Sequence, residues 1–548
     1  MHHLLRTRVI VSLLIALAGC SRVGLQTNAR VPVGRTPPGV LRVALTQDVK
    51  SLNPLLASTT VDGFVDRLMF EPLLSADEHG RPVPMLATAV PTTANGGISP
   101  DGRTITYHLR RDVRWSDGEP VTSRDVRWSW QAIMNPANDV VSRHGYDVIR
   151  SIDTPNNWTV IVRLKSPFAP FVNTFFAESD QPYSIAPAHV LAQYPDINHV
   201  PFDAAPSVTD GPFRFVEWVH GDHLTVVADP HFFLGAPKLA RIELSIIPDE
   251  NTTVQLLRTR SIDYMFQASI DTNRELKDIP GLNIVWNNMN GYQGVGMNLS
   301  HAPLNDIRVR LAIAAAIDRE RIVKTLTSSQ VRPATEDLPD WMWAYNPDAR
   351  PPPFDPVRAR SLLRSAGYVP RADGILARNG VPLRLELVTE VADTTHRKLV
   401  QLVQAMLRDI GVAVDIKLFP ADLLYAPQAM GGIMHGGKFD LIVLPWYSGI
   451  DPDDSSQFMC ANVPPNGYND TRYCSPQMEQ AQRRALSFYD ERNRRAAYFT
   501  IQRLLARDTP IVFLWWQRQQ EPISVDFKGF APNPAVESWN AWRWSKSQ

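Results

Sequence analysis

SVTDGPFRFVEWVHGDHLTVVAD occupies residues 207–229, and its pattern predicts a β-hairpin. Residues 213–219 and 223–228 are rich in aromatic and β-branched side chains, which favour strands. Between them stand residues 220–222, His-Gly-Asp, whose glycine allows the positive φ that tight hairpins need. An Asp-Gly-Pro turn at residues 210–212 leads into the first strand. We therefore expect an antiparallel hairpin here.

The composition describes a large globular chain without a dominant charge. Its 548 residues, 44% of them hydrophobic, are enough for roughly two or three domains. Lys plus Arg and Asp plus Glu number 56 each, so no net field favours nucleic acid or an anionic membrane as a partner. Partners must therefore be inferred from local sites.

The N-terminus predicts export and attachment to a lipid. Two arginines precede an apolar run at residues 9–18, which has the size of a signal-peptide core and is too short to span a bilayer. The run ends in Leu-Ala-Gly-Cys at residues 17–20, which resembles a bacterial lipobox in which Cys20 accepts the lipid. The alternative is an ordinary secretory leader. Residues 21–40 are polar and rich in Gly and Pro, which predicts a flexible tether.

Two cysteines, Cys460 and Cys474, remain once Cys20 is acylated. An exported protein occupies a compartment that permits disulfides, and a bridge across this short loop would stabilise the fold by about 3 kcal/mol. A zinc site is not expected, because two cysteines at this spacing lack paired histidines nearby. A disulfide and two free thiols both fit the sequence, and we favour the disulfide.

The hairpin and further segments resemble, in the same order, the family 5 extracellular solute-binding proteins, which are the periplasmic oligopeptide-, dipeptide- and nickel-binding proteins of ABC importers. The most specific match is SPDGRT…HLRRDVRWSDGEPVTSRDVRWSW at residues 99–130. Others are LNPL at 52–55, FEPLL at 70–74, the segment 303–319 and the segment 510–516. The likeness runs from residue 41 to about residue 534.

The resemblance implies an α/β fold of the two-lobed periplasmic-binding-protein class. This is the type II fold with an extra inserted domain, in which mixed sheets with flanking helices enclose a ligand cleft between the lobes. Lobe I is then expected at residues 41–82, 205–288 and 510–548, the inserted domain at 83–204 and lobe II at 289–509.

Local patterns support this interpretation. Thr122 and Asp125 predict a capping box at the start of a helix. The strand pattern at 241–247, a helix that begins at Asp249 and a second strand at 262–266 predict a βαβ unit with parallel pairing.

A second such unit places the predicted binding loop. Residues 383–389 are a predicted strand, and Asp393 begins a predicted helix. Residues 439–444 are continuously apolar, as expected for a strand buried on both faces. Ligands of open α/β sheets bind beyond the carboxyl ends of the strands. Residues 445–454 are therefore the predicted binding loop.

Candidate ligand contacts come from three segments. Ser58 and Thr59 match the part that lies against the ligand backbone in peptide-binding relatives, although such residues before an apolar helix also serve as N-caps. Tyr292 and Tyr447 are candidate aromatic walls and Trp446 a candidate anchor. The alternative for each aromatic residue is packing within the hinge.

The binding loop departs from the pattern of the peptide-binding relatives. In those proteins a Trp is followed by two short residues and then by an Asp that pairs with the ligand's α-ammonium. Here Trp446 is followed by Tyr447 and Ser448, and Gly449 stands where the Asp is expected. An ammonium without that partner would lose a charge-assisted hydrogen bond of about 1.5 to 3 kcal/mol. Either Asp451 takes the role, or the ligand lacks a free amino terminus.

The sequence thus favours a lipid-anchored, monomeric substrate-binding protein of an ABC importer on the periplasmic side of the cell envelope. It would capture an oligopeptide-like solute by hinge closure and deliver it to the permease and its ATPase. The alternative solutes are a sugar, a nickel complex, haem or a blocked peptide. An exported hydrolase is less favoured, because G-x-S-x-G, H-E-x-x-H and P-loop motifs are absent from the sequence.

No cofactor or metal is expected. Residues 451–454, Asp-Pro-Asp-Asp, lack the glycine and terminal Glu of a calcium-binding EF-hand loop. His435 resembles the histidine that some nickel-binding relatives use, but a single surface histidine is a weak indication.

Overall fold

The computed structural model describes residues 39–179 and 183–547. The predicted signal peptide, Cys20 and nearly all of the tether at 21–40 lie outside these residues. The strands are β1 (Val40–Leu45), β2 (Leu74–Ala76), β3 (Pro82–Pro84), β4 (Thr104–His108), β5 (Ile149–Asn156), β6 (Thr159–Leu164), β7 (Phe213–Val219), β8 (His223–Ala228), β9 (Arg241–Ile246), β10 (Tyr264–Met265), β11 (Leu282–Met297), β12 (Val369–Pro370), β13 (Leu376–Arg378), β14 (Val381–Pro382), β15 (Arg384–Glu390), β16 (Ala413–Phe419), β17 (Leu441–Tyr447), β18 (Ile511–Ser524), β19 (Phe527–Lys528) and β20 (Ser545–Lys546). The helices are α1 (Thr60–Met69), α2 (Ser123–Met134), α3 (Phe171–Thr174), α4 (Ala188–Leu191), α5 (Glu250–Arg258), α6 (Asn273–Lys277), α7 (Ile307–Ala316), α8 (Arg319–Thr327), α9 (Pro356–Ser365), α10 (Thr394–Asp409), α11 (Ala421–Leu424), α12 (Ser455–Phe458), α13 (Pro476–Ser487) and α14 (Glu491–Asp508).

A mixed ten-stranded sheet joins the two lobes. Its strand order is β16-β15-β17-β11-β18-β10-β1-β9-β8-β7. We call the half that contains β1 and β7 to β10 lobe I, and the half that contains β15 to β17 lobe II. Strands β11 and β18 are long enough to belong to both halves. The predicted two-lobed α/β fold is confirmed.

The predicted hairpin is confirmed as β7 and β8. The two strands pair antiparallel from Phe213 opposite Ala228 to Val219 opposite His223. Gly221 at the turn has φ +73°, a conformation that glycine adopts without steric cost. The hairpin is the outer edge of lobe I, where β8 pairs with β9.

The two strands of the predicted βαβ unit at residues 241–266 run parallel, as predicted, but they do not pair with each other. Strands β9 and β10 both run parallel to β1, and β1 lies between them. The unit therefore crosses over one strand instead of pairing its own two strands. A local pattern could not reveal this, because the intervening strand comes from the start of the chain.

The two longest strands carry the connection between the lobes. Leu282 to Asn288 of β11 pair with Ser524 to Arg518 of β18 on the lobe I side. The register then shifts, and pairing resumes at Tyr292 opposite Trp516 on the lobe II side. The shift leaves a bulge at residues 289–291. The predicted domain boundary after residue 288 falls at this bulge.

Residues 83–204, predicted as an inserted domain, contain a separate three-stranded sheet in the order β4-β6-β5. Helix α2 packs beside this sheet, and Thr122 is its N-cap. The predicted capping box is present, since the side chains of Thr122 and Asp125 each accept a hydrogen bond from the other's backbone amide. Trp115 is buried in the core of this region. The exact domain boundaries stay a prediction.

Lobe II has the predicted strand-helix-strand unit. Asp393 accepts a hydrogen bond from the backbone of His396 and begins α10, and β15 pairs in parallel with β16 and β17. Leu399, Val403 and Leu407 of α10 are buried against the sheet. Cys460 and Cys474 are joined by a disulfide that closes the loop before α13. Within residues 39–179 and 183–547, no helix is long and apolar enough to cross a membrane.

Candidate functional site

A cleft with three connected cavities lies between the lobes. A first chamber of about 380 Å³ is bordered by residues 57–60 of lobe I and by Tyr447 and Ser448 of lobe II. A narrow neck of about 30 Å³ follows, and Ser179 and Ser448 line both spaces. The cleft therefore has walls from both lobes, with the loop after β17 on one side of the first chamber and the start of α1 on the other.

A second chamber of about 520 Å³ continues the cleft. His144 and Ser456 line both the neck and this chamber. Tyr425 and Tyr468 add aromatic surface to its wall. The three spaces together form an elongated cleft instead of one round pocket.

Lobe II touches residues 83–204, the predicted inserted domain of lobe I, beside this cleft. The hydroxyl of Tyr489 in lobe II donates to the carbonyl oxygen of Gly102 at 2.9 Å. The amide of Ile450 donates to the carbonyl oxygen of Glu178, also at 2.9 Å. The structure thus has the lobes closed on one another, with the chambers between them.

Ser58 and Thr59, which the sequence predicts as ligand contacts, line the first chamber. Thr59 also caps α1, because its side chain accepts from the backbone of Asp62 while the Asp62 carboxylate accepts from the Thr59 amide. The N-cap alternative is therefore found in the structure for Thr59, on the same residue that faces the cleft. Ser58 donates from its own amide to Asp62 as well.

Trp446, Ser448 and Gly449 border the neck. The indole nitrogen of Trp446 donates to the hydroxyl of Ser448 at 3.0 Å, and its ring meets that of Tyr468 edge to face. Tyr447, the last residue of β17, lines the first chamber, and 52% of its surface is exposed. The binding loop predicted from the sequence therefore does border the cleft.

Tyr292 is not an aromatic wall, and that prediction is wrong. Its side chain is fully buried, its hydroxyl donates to Gln457, and its ring meets Phe513 edge to face. The alternative reading, a packed hinge aromatic, describes it correctly. Tyr292 directly follows the bulge of β11, so its side chain packs within the hinge and does not face the cleft.

Asp451 borders the neck, and its carboxylate is already paired within the protein instead of being free for a ligand ammonium. Arg494 of α14 donates two hydrogen bonds to it, at 3.0 and 2.6 Å, and Asn173 donates a third at 3.0 Å. Both charged side chains are buried. The positive charge that this carboxylate balances is that of Arg494.

Gly449 has no space for a side chain in the closed protein. A carbon placed at its Cβ position would stand 2.6 Å from the carbonyl oxygen of Glu178 and 2.6 Å from Cα of Ser179. The side-chain amide of Asn290, in the bulge of β11, donates to the carbonyl oxygen of Gly449 at 3.0 Å. The loop, the hinge bulge and the opposite lobe therefore meet at this glycine.

The sequence reasoning missed the lobe I floor of the first chamber. Gln267 follows β10, Gln519 belongs to β18, and residues 534–536 come from the C-terminal region. Gln267 was within reach of a prediction, because it lies just beyond the carboxyl end of a predicted strand, where ligands bind in open α/β sheets. The other residues gave no local signal.

Two buried carboxyl groups lie behind Gln267. Glu537 accepts from the Gln267 side chain at 2.8 Å, and Glu521 accepts from its backbone amide at 3.0 Å. Burial raises the pKa of Glu537 to about 7 and that of Glu521 well above its usual range. These groups hold Gln267 at the chamber wall. No group of three or more His, Cys, Asp or Glu side chains suited to a metal occurs in the described part of the chain.

Comparisons with known proteins agree with this geometry. The family model of bacterial extracellular solute-binding proteins, family 5 (middle region), matches residues 81–469. The oligopeptide-binding protein AppA of Bacillus subtilis is 23% identical over 550 aligned positions, which cover 99% of this chain and 98% of that protein. The glutathione-binding protein GsiB of Pectobacterium atrosepticum is 26% identical, with 92% and 93% of the two chains covered.

A solved structure has the same fold. NikZ of Campylobacter jejuni in complex with Ni(L-His) superposes with a TM-score of 0.79 at 26% identity, covering 93% of this chain and all of that one. A two-lobed solute-binding protein with a cleft between its lobes is the class that the fold defines. The chain belongs to the bacterial extracellular solute-binding proteins of family 5.

The pairing of Asp451 with Arg494 predicts a large effect on stability. Asp451→Asn should lower the free energy of unfolding by about 3 kcal/mol, because it leaves a buried guanidinium without its carboxylate. Asp415→Asn is the matched control, since its pair with Arg384 is half exposed and should contribute less than about 1 kcal/mol. Urea unfolding of both variants measures the difference. An unchanged stability of Asp451→Asn would contradict the assigned pair.

Gly449 predicts a steric block to closure. Gly449→Ala should favour open lobes, because its methyl group would overlap the backbone of Glu178 and Ser179. With the host solute present, small-angle scattering should give a larger radius of gyration than that of the parent protein, which the solute closes. Gly63→Ala is the control, since a Cβ there meets no atom within 4 Å. A Gly449→Ala variant as compact as this control would show that the contact does not limit closure.

Glu537 predicts a dependence of stability on pH. Burial raises its pKa in the folded protein to about 7, from the ordinary value of 4.5 for a glutamate. Stability relative to the unfolded chain is therefore lost as pH rises from about 4.5 through 7. Glu537→Gln should remove this loss, and its advantage over the parent protein should grow to about 3 kcal/mol at pH 8.

Urea unfolding at pH 5, 6, 7 and 8 tests the effect, with the exposed residue Glu491 changed to Gln as the control. Parallel stability curves for the parent and Glu537→Gln would contradict the buried-carboxyl account.

Proposed function

We propose that the chain is the solute-binding component of an ABC importer, anchored to a membrane by lipid on Cys20. It captures a peptide-like solute in the cleft between lobes I and II and delivers it to the permease and its ATPase. It works as a monomer on the periplasmic side of the cell envelope. The family assignment supports solute binding, and the relatives that bind oligopeptides or glutathione favour a peptide-like solute.

One observation carries the proposal. The first chamber draws its walls from both lobes, since Thr59 belongs to lobe I and Ser448 to lobe II. A solute there contacts both walls only when the lobes are closed. Because it binds the closed state better, it shifts the population toward that state. The permease then recognises the surface of the closed, liganded form.

The elongated cleft supports an extended solute. The chambers of about 380 and 520 Å³ lie on either side of the neck, which suits a chain-like molecule better than a compact one. Polar side chains of the first chamber, among them Thr60, Gln267 and Gln519, can hydrogen-bond to the main chain of such a solute.

Mass spectrometry of the solute that purifies with the protein from its native host tests the function. We expect a bound small molecule whose removal and re-addition, followed by calorimetry, gives one site with a micromolar or tighter dissociation constant. A protein that carries no solute and binds none from a host extract would contradict the proposal.

The proposed lipid anchor predicts that loss of Cys20 changes the cell fraction in which the protein is found. Cys20→Ala should move the protein from the membrane fraction to the soluble periplasmic fraction, because the acylated thiol is absent. Immunoblots of fractionated cells measure it, and Cys460→Ala with Cys474→Ala serves as the control for loss of cysteine elsewhere. A Cys20→Ala protein that stays in the membrane fraction would remove the anchor from the account.

A further inference from the structure

The first chamber is electrically neutral within the described part of the chain. No Asp, Glu, Lys, Arg or His side chain borders it there. The polar side chains that line it carry hydroxyl or amide groups and belong to Ser58, Thr59, Thr60, Ser179, Gln267, Tyr447, Ser448 and Gln519. Such groups donate and accept hydrogen bonds without carrying charge.

The helix end that faces the chamber does not supply a charge either. An N-terminus such as that of α1 attracts anions through its free amides and its dipole. Here the carboxylate of Asp62 accepts from the amides of Ser58 and Thr59, at 2.9 and 3.0 Å. Because the helix end already holds a carboxylate of the chain, it does not provide an anion site.

Three buried carboxyl groups of the described residues, which neighbour lining residues of the chamber, are committed to other groups. Glu537 and Glu521 accept hydrogen bonds from Gln267. Glu178 pairs with Arg67 and accepts from Ser75. None of these three is placed as a partner for a cation of the solute.

The binding loop has the same property. Asp451 is held by Arg494 through two hydrogen bonds. Gly449 cannot be replaced by an acidic residue in the closed state, because the backbone of Glu178 and Ser179 fills the space a side chain would need. Asp453 of the same loop borders the neck, where it lies 3.6 Å from Nε2 of His144, and it does not line the first chamber.

We infer that the solute places an uncharged, hydrogen-bonding group in the first chamber, such as an acylated amine or a sugar hydroxyl, and not a free ammonium. This inference rests on the proposed function, and it specifies the chemical class of the solute that binds in the same cleft. Burying an ammonium needs a carboxylate partner to offset its loss of water. A neutral amide or hydroxyl needs only the polar side chains that are present.

Calorimetry with matched pairs of probes tests the inference on the full-length protein at pH 7.4. The probes are tri- and tetra-alanine with free or acetylated amino termini, and the trimers of glucosamine and of N-acetylglucosamine. We expect the acetylated member of at least one pair to bind at least tenfold more tightly than its free-amine partner. A free-amine member that binds as tightly or more tightly overturns the inference, and so does a panel in which no acetylated probe binds.

A charge introduced on the loop gives a second test. Ser448→Asp adds a carboxylate beside the first chamber and should shift the ratio of affinities toward the free-amine probe by at least tenfold, whereas the isosteric Ser448→Asn should not. An unchanged ratio in Ser448→Asp overturns the inference. A host solute that carries a free ammonium and closes the lobes would overturn it too, while leaving the proposed function intact. Absence of any bound solute would count against both.

Discussion

The pairing of β11 with β18 is the constraint on which the rest of the structure depends. These two strands hydrogen-bond on both sides of the bulge at residues 289–291, so each lobe is attached to the other by two continuous strands. A bulge locally disrupts the ladder and lets the strands bend. The lobes can therefore change their angle at this point while their own sheets keep their hydrogen bonds.

The same bulge is connected to the cleft. The carbonyl oxygen of Asn290 accepts from the amide of Ser448, and its side chain donates to the carbonyl oxygen of Gly449. Gly291 has to be a glycine, since a Cβ there would stand 2.1 Å from the carbonyl oxygen of Trp446. The hinge and the binding loop thus move as one unit, and a solute that contacts the loop acts directly on the hinge.

Features set by neighbouring residues could be predicted from the sequence. The hairpin of β7 and β8 and the helix starts at Thr122 and Asp393 depend on turn and capping chemistry within a few residues, and all three occur where predicted. The strand pattern before residue 445 placed the binding loop, and the family resemblance added the lobes. These parts needed no knowledge of distant contacts.

Features that depend on distant residues could not be predicted. Asp451 looked available because Arg494, its partner, comes 43 residues later and on another helix. Tyr292 looked like a binding aromatic because its burial depends on packing against β18. The floor of the first chamber combines Gln267 and Gln519 from separate strands. A single sequence does not contain these pairings.

Closure around a solute is the central claim, and the separation of the two lobes measures it most directly. Spin labels at Asp139 and Met430, which are exposed and lie two residues from opposite walls of the second chamber, report that separation by double electron-electron resonance. The account predicts a broad, longer distance without solute and a shorter, narrow one after the host solute is added. A single distance that is the same with and without solute would contradict it.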